Sequence, residues 1–147
     1  MEFVEYTDRD LLTMSLANYL TEDLRNALNN KERVSFVVPG GNTPGPVFDQ
    51  LCAADIDWDR VDLMLSDERW VPSTSDRSNT RLLEQRMLVD RAAKARLVPS
   101  YLPYKTPEEA MDTLTEELSY LFPISVLLLG MGSDMHTASL FPEADKL

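Results

Sequence analysis

Apolar and polar residues alternate along this chain with two different periods. From Asp8 to about Asn29, the residues Leu12, Leu16, Tyr19, Leu20, Leu24, Ala27 and Leu28 recur at three- and four-residue spacing. That spacing predicts an amphipathic helix, with Thr7 or Asp8 able to cap its start. The run VSFVV at 34–38 is continuous, β-branched and aromatic, and predicts a buried strand. A helix follows from about Pro46 to Ala54, then a second strand over VDLMLS at 61–66 and a helix from about Asn79 to Asp90. The stretch ARLVPSYLPY at 95–104 is irregular or holds a short edge strand, because its prolines lack the N–H that a central strand needs. Residues 107–121 predict a further helix with Pro107 in its first turn. ISVLLLG at 124–130 predicts the third and strongest strand.

Strands and helices in this order predict one α/β domain over residues 1–147, a Rossmann-like three-layer sandwich with a mainly parallel sheet. The near-continuous apolar character of 34–38 and 124–130 predicts burial on both faces. In a parallel sheet all strands point one way, so the loops that follow them gather at the carboxyl edge, where ligands bind in such folds. After the first strand come Gly40, Gly41, Asn42, Thr43 and Pro44; after the second, Asp67, Glu68, Arg69 and Trp70; after the third, Met131, Gly132, Ser133, Asp134, Met135 and His136. The chain's 5 glycines all fall in the first and third of these loops.

Each loop has a plain and a functional reading. Gly40, Gly41, Asn42 and Thr43 lead into a helix and suit an anion cradle, or form an ordinary strand-to-helix turn capped by Thr43. In SDERW, Arg69 is either part of a salt-bridged loop or a forked donor to phosphate or oxyanion, and spacing alone leaves both open. Arg77 and Arg81 are further candidate anion donors or surface charges. His136, the only histidine, either caps a turn or acts as a base, a task for which its side-chain type suits neutral pH. Asp134 either orients the ring or accepts backbone amides, and HTASLF can begin a short helix.

The formal net charge of −11 changes the picture of partners. It argues against nucleic acid and anionic membrane surfaces, and it means that an anionic ligand must be held by local donors. No segment reaches the length of a membrane span. One histidine and one cysteine, far apart, supply no zinc set, so no metal is expected. The acidic N-terminus lacks the features of a signal peptide, and a single cysteine excludes an internal disulfide, which together favour a reducing cytoplasm. The expected assembly is a monomer or weak homo-oligomer.

GGNTP, SDERWVP, SDRSN and LLGMGSDMHTASLFP stand in the order and context found in the 6-phosphogluconolactonase family, which the chain resembles from about residue 34 to 145. The related glucosamine-6-phosphate deaminases carry HIAFNEP and DEY where this chain has HTASLFP and DERW. The resemblance implies hydrolysis of the sugar-phosphate lactone 6-phospho-D-glucono-1,5-lactone to 6-phosphogluconate, in the oxidative pentose phosphate pathway, with no cofactor. It implies His136 as base, Asp134 as its partner, Arg69 on phosphate or oxyanion, and Gly40, Gly41, Asn42 and Thr43 around the phosphate, to which residue type adds Arg77 as a candidate donor.

The chain departs from the family pattern in having Met135 and Glu143 where glycine is usual. A glycine at the first position serves a positive φ or a close approach, which methionine disfavours. Family members also continue past this block. The chain therefore reads as an N-terminal portion, with a fold incomplete at its C-terminus, exposed apolar surface and low stability expected. The alternatives are a deaminase-like isomerase of the same fold and a non-catalytic sugar-phosphate-binding protein.

Overall fold

The uninterrupted apolar run at 34–38 becomes the most buried strand. In the computed structural model, which describes residues 2–145, β1 (Val34–Val38) is buried at every position. Around it lie α1 (Arg9–Asn30), α2 (Gly45–Leu51), β2 (Val61–Leu65), α3 (Asn79–Arg86), β3 (Arg96–Leu97), α4 (Pro107–Ser119) and β4 (Val126–Leu127). The sheet order is β3-β2-β1-β4, with every pair parallel. Val34 stands opposite Val61, Phe36 opposite Val126 and Leu63 opposite Leu97. The chain steps from β1 through β2 to β3, then returns through α4 to the far side of β1. The winding direction reverses between β1 and β4, and such a switch point opens a crevice at the carboxyl edge.

Alternate residues of β1 serve two faces. Val34, Phe36 and Val38 join the core with Leu20, Leu24 and Leu28 of α1, Phe48 and Leu51 of α2, and Leu83 of α3. Ser35 points the other way and its Oγ donates to Leu121 O, just past α4, at 2.9 Å. Helices therefore flank both faces of the sheet, as the α/β alternation predicts. Among the described residues no helix is long and apolar enough to cross a membrane.

Four expectations need correction. α1 starts as predicted, with the Asp8 carboxylate accepting Leu11 N–H at 2.8 Å, but its buried stripe is Thr13, Ala17, Leu20, Leu24 and Leu28. Leu12 and Tyr19 are exposed. A 22-residue helix is roughly 33 Å long and a five-residue strand about 17 Å, so part of α1 extends past the sheet. α2 ends at Leu51, not Ala54.

α3 ends at Arg86 rather than Asp90. The amides of Met87 and Leu88 both turn to Leu83 O, and Asp90 has a φ of 51°, which no helix continues. The strongest predicted strand is among the shortest observed, since only Val126 and Leu127 pair in the ladder. Leu128 N–H still reaches Val37 O at 2.9 Å. β4 is an edge strand with one open side, so Leu127 and Leu129 are about half exposed (49% and 51%) instead of buried. The expected exposed apolar surface runs along this edge and includes Met131. The proline-interrupted segment does form a short edge strand, β3, and Pro99 follows it closely.

Candidate active site

Particular side chains tie the second of the three loops at the carboxyl edge to each of the other two. Asn79, the first residue of α3, is only 3% exposed and joins two of them. Its Oδ1 accepts the Gly41 N–H at 3.2 Å and a hydrogen bond from Arg69 Nη1. Its Nδ2 donates to Asp67 O at 3.1 Å. Gly40 makes this approach possible, because a Cβ there would overlap the Asn79 carboxamide.

Glu68 fixes the second loop to the start of α3. Its Oε1 accepts the amides of Arg69 and Asn79, each at 2.7 Å. Its Oε2 accepts Ser78 Oγ at 3.0 Å, Thr80 N–H at 2.8 Å and Thr80 Oγ1 at 2.7 Å. Burial pushes the Glu68 carboxyl up, but the hydrogen bonds from Thr80 and from the Asn79, Thr80 and Arg69 amides outweigh it. The result lies below the usual carboxylate range. A carboxylate beside orphan N–H groups also matches the positive end of the helix dipole.

Between the first and second loops lies an open cleft of about 340 Å³, whose wall includes Gly41, Asn42, Arg69, Arg77, Ser78 and Asn79. It brings together four of the residues expected to bind an anion. Gly40 stands behind the wall, and Thr43 is exposed at the entry to α2 without capping it, since Pro44 takes the N-cap position. Arg81 is used internally, bonded to Asp76 and to Thr74 O.

Asp134 and His136 lie outside that wall, on the third loop. Asp134 Oδ1 sits 2.5 Å from His136 Nδ1 and also accepts the His136 N–H at 3.3 Å. One carboxylate thus bonds both the ring and the backbone amide of His136. Hydrogen bonding from the His136 ring, then from its amide, holds the Asp134 carboxyl below its ordinary range. The turn is closed by Met135 N–H to Gly132 O and Gly132 N–H to His136 O, both at 2.9 Å. A Cβ on Gly132 would overlap the His136 ring.

Met135 has a φ of 68° and Glu143 a φ of 65°, so both take left-handed backbone. These are the two positions where a glycine was expected. HTASLF does not begin a helix. Thr137 and Leu140 form an antiparallel bridge around a tight turn, in which Ala138 has a φ of 53°.

The third loop is bonded to the second. Ser139 Oγ donates to Asp67 Oδ2 on the second loop at 2.9 Å. A Cβ built on Gly130 would lie 3.9 Å from Pro39 Cβ, beside the first loop. Among the described residues no group of three or more His, Cys, Asp or Glu side chains is arranged to hold a metal. The sequence reading missed Asn79, Glu68 as a cap, and the Ser139–Asp67 link. Ser78 at a helix start was the available signal for the first two, and nothing in the residue pattern marks the third.

The sequence pattern of the family described as glucosamine-6-phosphate isomerases/6-phosphogluconolactonase matches residues 7–147. The chain is 41% identical over 143 residues to a 6-phosphogluconolactonase of Pseudomonas putida, an alignment that covers 97% of this chain and 59% of that protein. It is 41% identical over 133 residues to one from Pseudomonas aeruginosa, covering 90% of this chain and 56% of that protein. The crystal structure of a 6-phosphogluconolactonase from Shewanella baltica superposes with a TM-score of 0.89 at 37% identity, over 93% of this chain and 59% of that one. The chain therefore spans somewhat under two thirds of the length of these relatives.

Proposed function

The chain belongs to the glucosamine-6-phosphate isomerase/6-phosphogluconolactonase family, and from that premise we propose that it carries catalytic parts of a 6-phosphogluconolactonase. The reaction is hydrolysis of 6-phospho-D-glucono-1,5-lactone to 6-phosphogluconate, with no cofactor. The observation that carries this reading is the Asp134–His136 pair. With Nδ1 committed to the carboxylate, the imidazole presents Nε2 as its basic nitrogen. Nε2 takes a proton from water as the water oxygen bonds to the lactone C1. The ring C1–O bond then breaks, and the leaving alkoxide receives the proton back from the imidazolium.

In this reading the phosphate occupies the cleft beside Arg69, Arg77, Gly41 and Asn42. Arg69 and Arg77 supply local positive charge there, and Arg81 neutralises the one carboxylate of the wall, Asp76, which offsets the repulsion that an overall charge of −11 exerts on an anionic substrate. The Ser139–Asp67 bond supports the placement, since it holds the loop bearing His136 against the loop bearing Arg69. A single buried free thiol, Cys52, suits the reducing cytoplasm in which we place the reaction.

The test is lactone disappearance measured against its spontaneous rate. The chain is expected to accelerate it, and His136→Asn to remove most of the acceleration while the protein stays folded. Acceleration that survives His136→Asn would exclude His136 as the base.

A further inference from the structure

Phe141 is a large apolar side chain that lies outside the core and remains 47% exposed. Its ring faces another ring instead. The centroids of Phe141 and His136 are 4.5 Å apart, and their planes differ by 19°. We propose that Phe141 is a positioning residue that fixes the plane of the His136 imidazole. The functional weight of this rests on the reading of His136 as the base.

An imidazole on an open loop has two side-chain torsions to lose. The bond from Nδ1 to Asp134 fixes one direction within the ring plane, but the ring can still swing about that bond. A flat apolar surface over one face removes that swing. Gly132 closes the Nδ1–Cε1 edge, so close that a Cβ there would meet the ring. Nε2 has no hydrogen-bond partner among the described residues and is the ring nitrogen left to act. When Nε2 gains a proton, the imidazolium lies over the π-face of Phe141, which attracts positive charge.

The backbone delivers Phe141 to this place by a short reversal. Thr137 N–H bonds Leu140 O at 3.2 Å, and Leu140 N–H bonds Thr137 O at 3.0 Å. The left-handed Ala138 lies inside the turn. Residue 141 thus returns to residue 136. Ser139, at the tip, is held to Asp67 of the second loop at 2.9 Å, which anchors the reversal to the sheet edge.

The test compares Phe141→Leu and Phe141→Tyr with the unchanged chain. His136 is the only histidine, so its ring protons give one unambiguous NMR spin system. An upfield ring-current shift of those protons is expected in the unchanged chain and in Phe141→Tyr, and its loss in Phe141→Leu. In lactone hydrolysis, Phe141→Leu is expected to lower kcat roughly three- to tenfold, the range for one aromatic contact. KM should stay unchanged, and tyrosine should restore the rate. His136 ring protons that do not move in Phe141→Leu would overturn the proposal. So would a lost ring-current shift with kcat unchanged. If the unchanged chain fails to hydrolyse the lactone, the lactonase reading falls, and the NMR comparison still decides whether Phe141 holds the ring.

Discussion

Gly40 and Asn79 fit so closely that the glycine has no room for a side chain, because a Cβ would overlap the carboxamide. That carboxamide links the Gly41 amide, the Arg69 guanidinium and the Asp67 carbonyl. Gly40→Ala is therefore expected to displace Asn79 and loosen two loops together. Overpacking of this kind costs about 1–3 kcal/mol, readable in denaturant unfolding. In the proposed lactone hydrolysis, KM is expected to rise as Arg69 loses its support. Unchanged stability and KM would show that the carboxamide can shift freely.

Glu68 gives a pH dependence with a definite sign. Its folded carboxyl lies below the ordinary value of 4.5, so the unfolded chain binds more protons between the two values and stability rises with pH there. The contribution is complete above about 4.5 and is lost as pH falls through the folded value. In Glu68→Gln, the carboxamide N–H group would face donors from Ser78, Asn79 and Thr80. The expected cost is about 2 kcal/mol at neutral pH, the scale of a lost charge-assisted hydrogen bond. The gap from the unchanged chain should narrow toward pH 3. A gap of equal size at pH 7 and pH 3 would refute the assignment.

The fold was largely legible in the sequence because burial wrote it there. VSFVV had to be a strand buried on both faces, and the polar residues after each strand marked the carboxyl edge. β4 was misjudged because apolar composition reports what a segment can bury, whereas its pairing depends on neighbours along the sheet. The stripe of α1 differs because helical spacing places the buried face only to within a residue or so: Thr13 and Ala17 turn to the core, and Leu12 and Tyr19 flank them in solvent. Arg69, Arg77, Gly41 and Asn42 stand out by residue type, and the structure lines one cleft with them. Asn79 and Glu68 do not stand out, because their work is to join loops, and a joining residue looks like any polar residue until its partners are known. Met135 and Glu143 show the converse. The missing glycines were noticed in the sequence, but only the structure reports that the left-handed backbone is kept without them.

Asp134 is expected to act through the tautomer of His136. A carboxylate accepts from Nδ1–H and leaves Nε2 unprotonated, whereas the amide of Asp134→Asn can donate to Nδ1 and favour the opposite tautomer. The substitution is expected to lower kcat by about tenfold or more, with a small change in KM. Nitrogen chemical shifts of the single imidazole would report the tautomer directly. A fall in kcat without a tautomer change would assign Asp134 to turn geometry alone.

Met135 should be replaceable by glycine without loss. At a φ of 68°, a residue with a Cβ is strained by about 1 kcal/mol. Glycine relieves that strain but gives the unfolded chain more freedom, an opposing effect of about 0.5–1 kcal/mol. The Met135 side chain is 70% exposed, so little packing is lost. Met135→Gly is thus expected to leave unfolding free energy within about 1 kcal/mol of the unchanged chain, and to preserve the Asp134–His136 pair. Met135→Val should be worse than either, because a β-branched residue is least able to hold a positive φ. Chemical unfolding of the three proteins gives the ranking. If Met135→Gly proves much less stable than the unchanged chain, the methionine side chain contributes contacts that its exposure does not suggest.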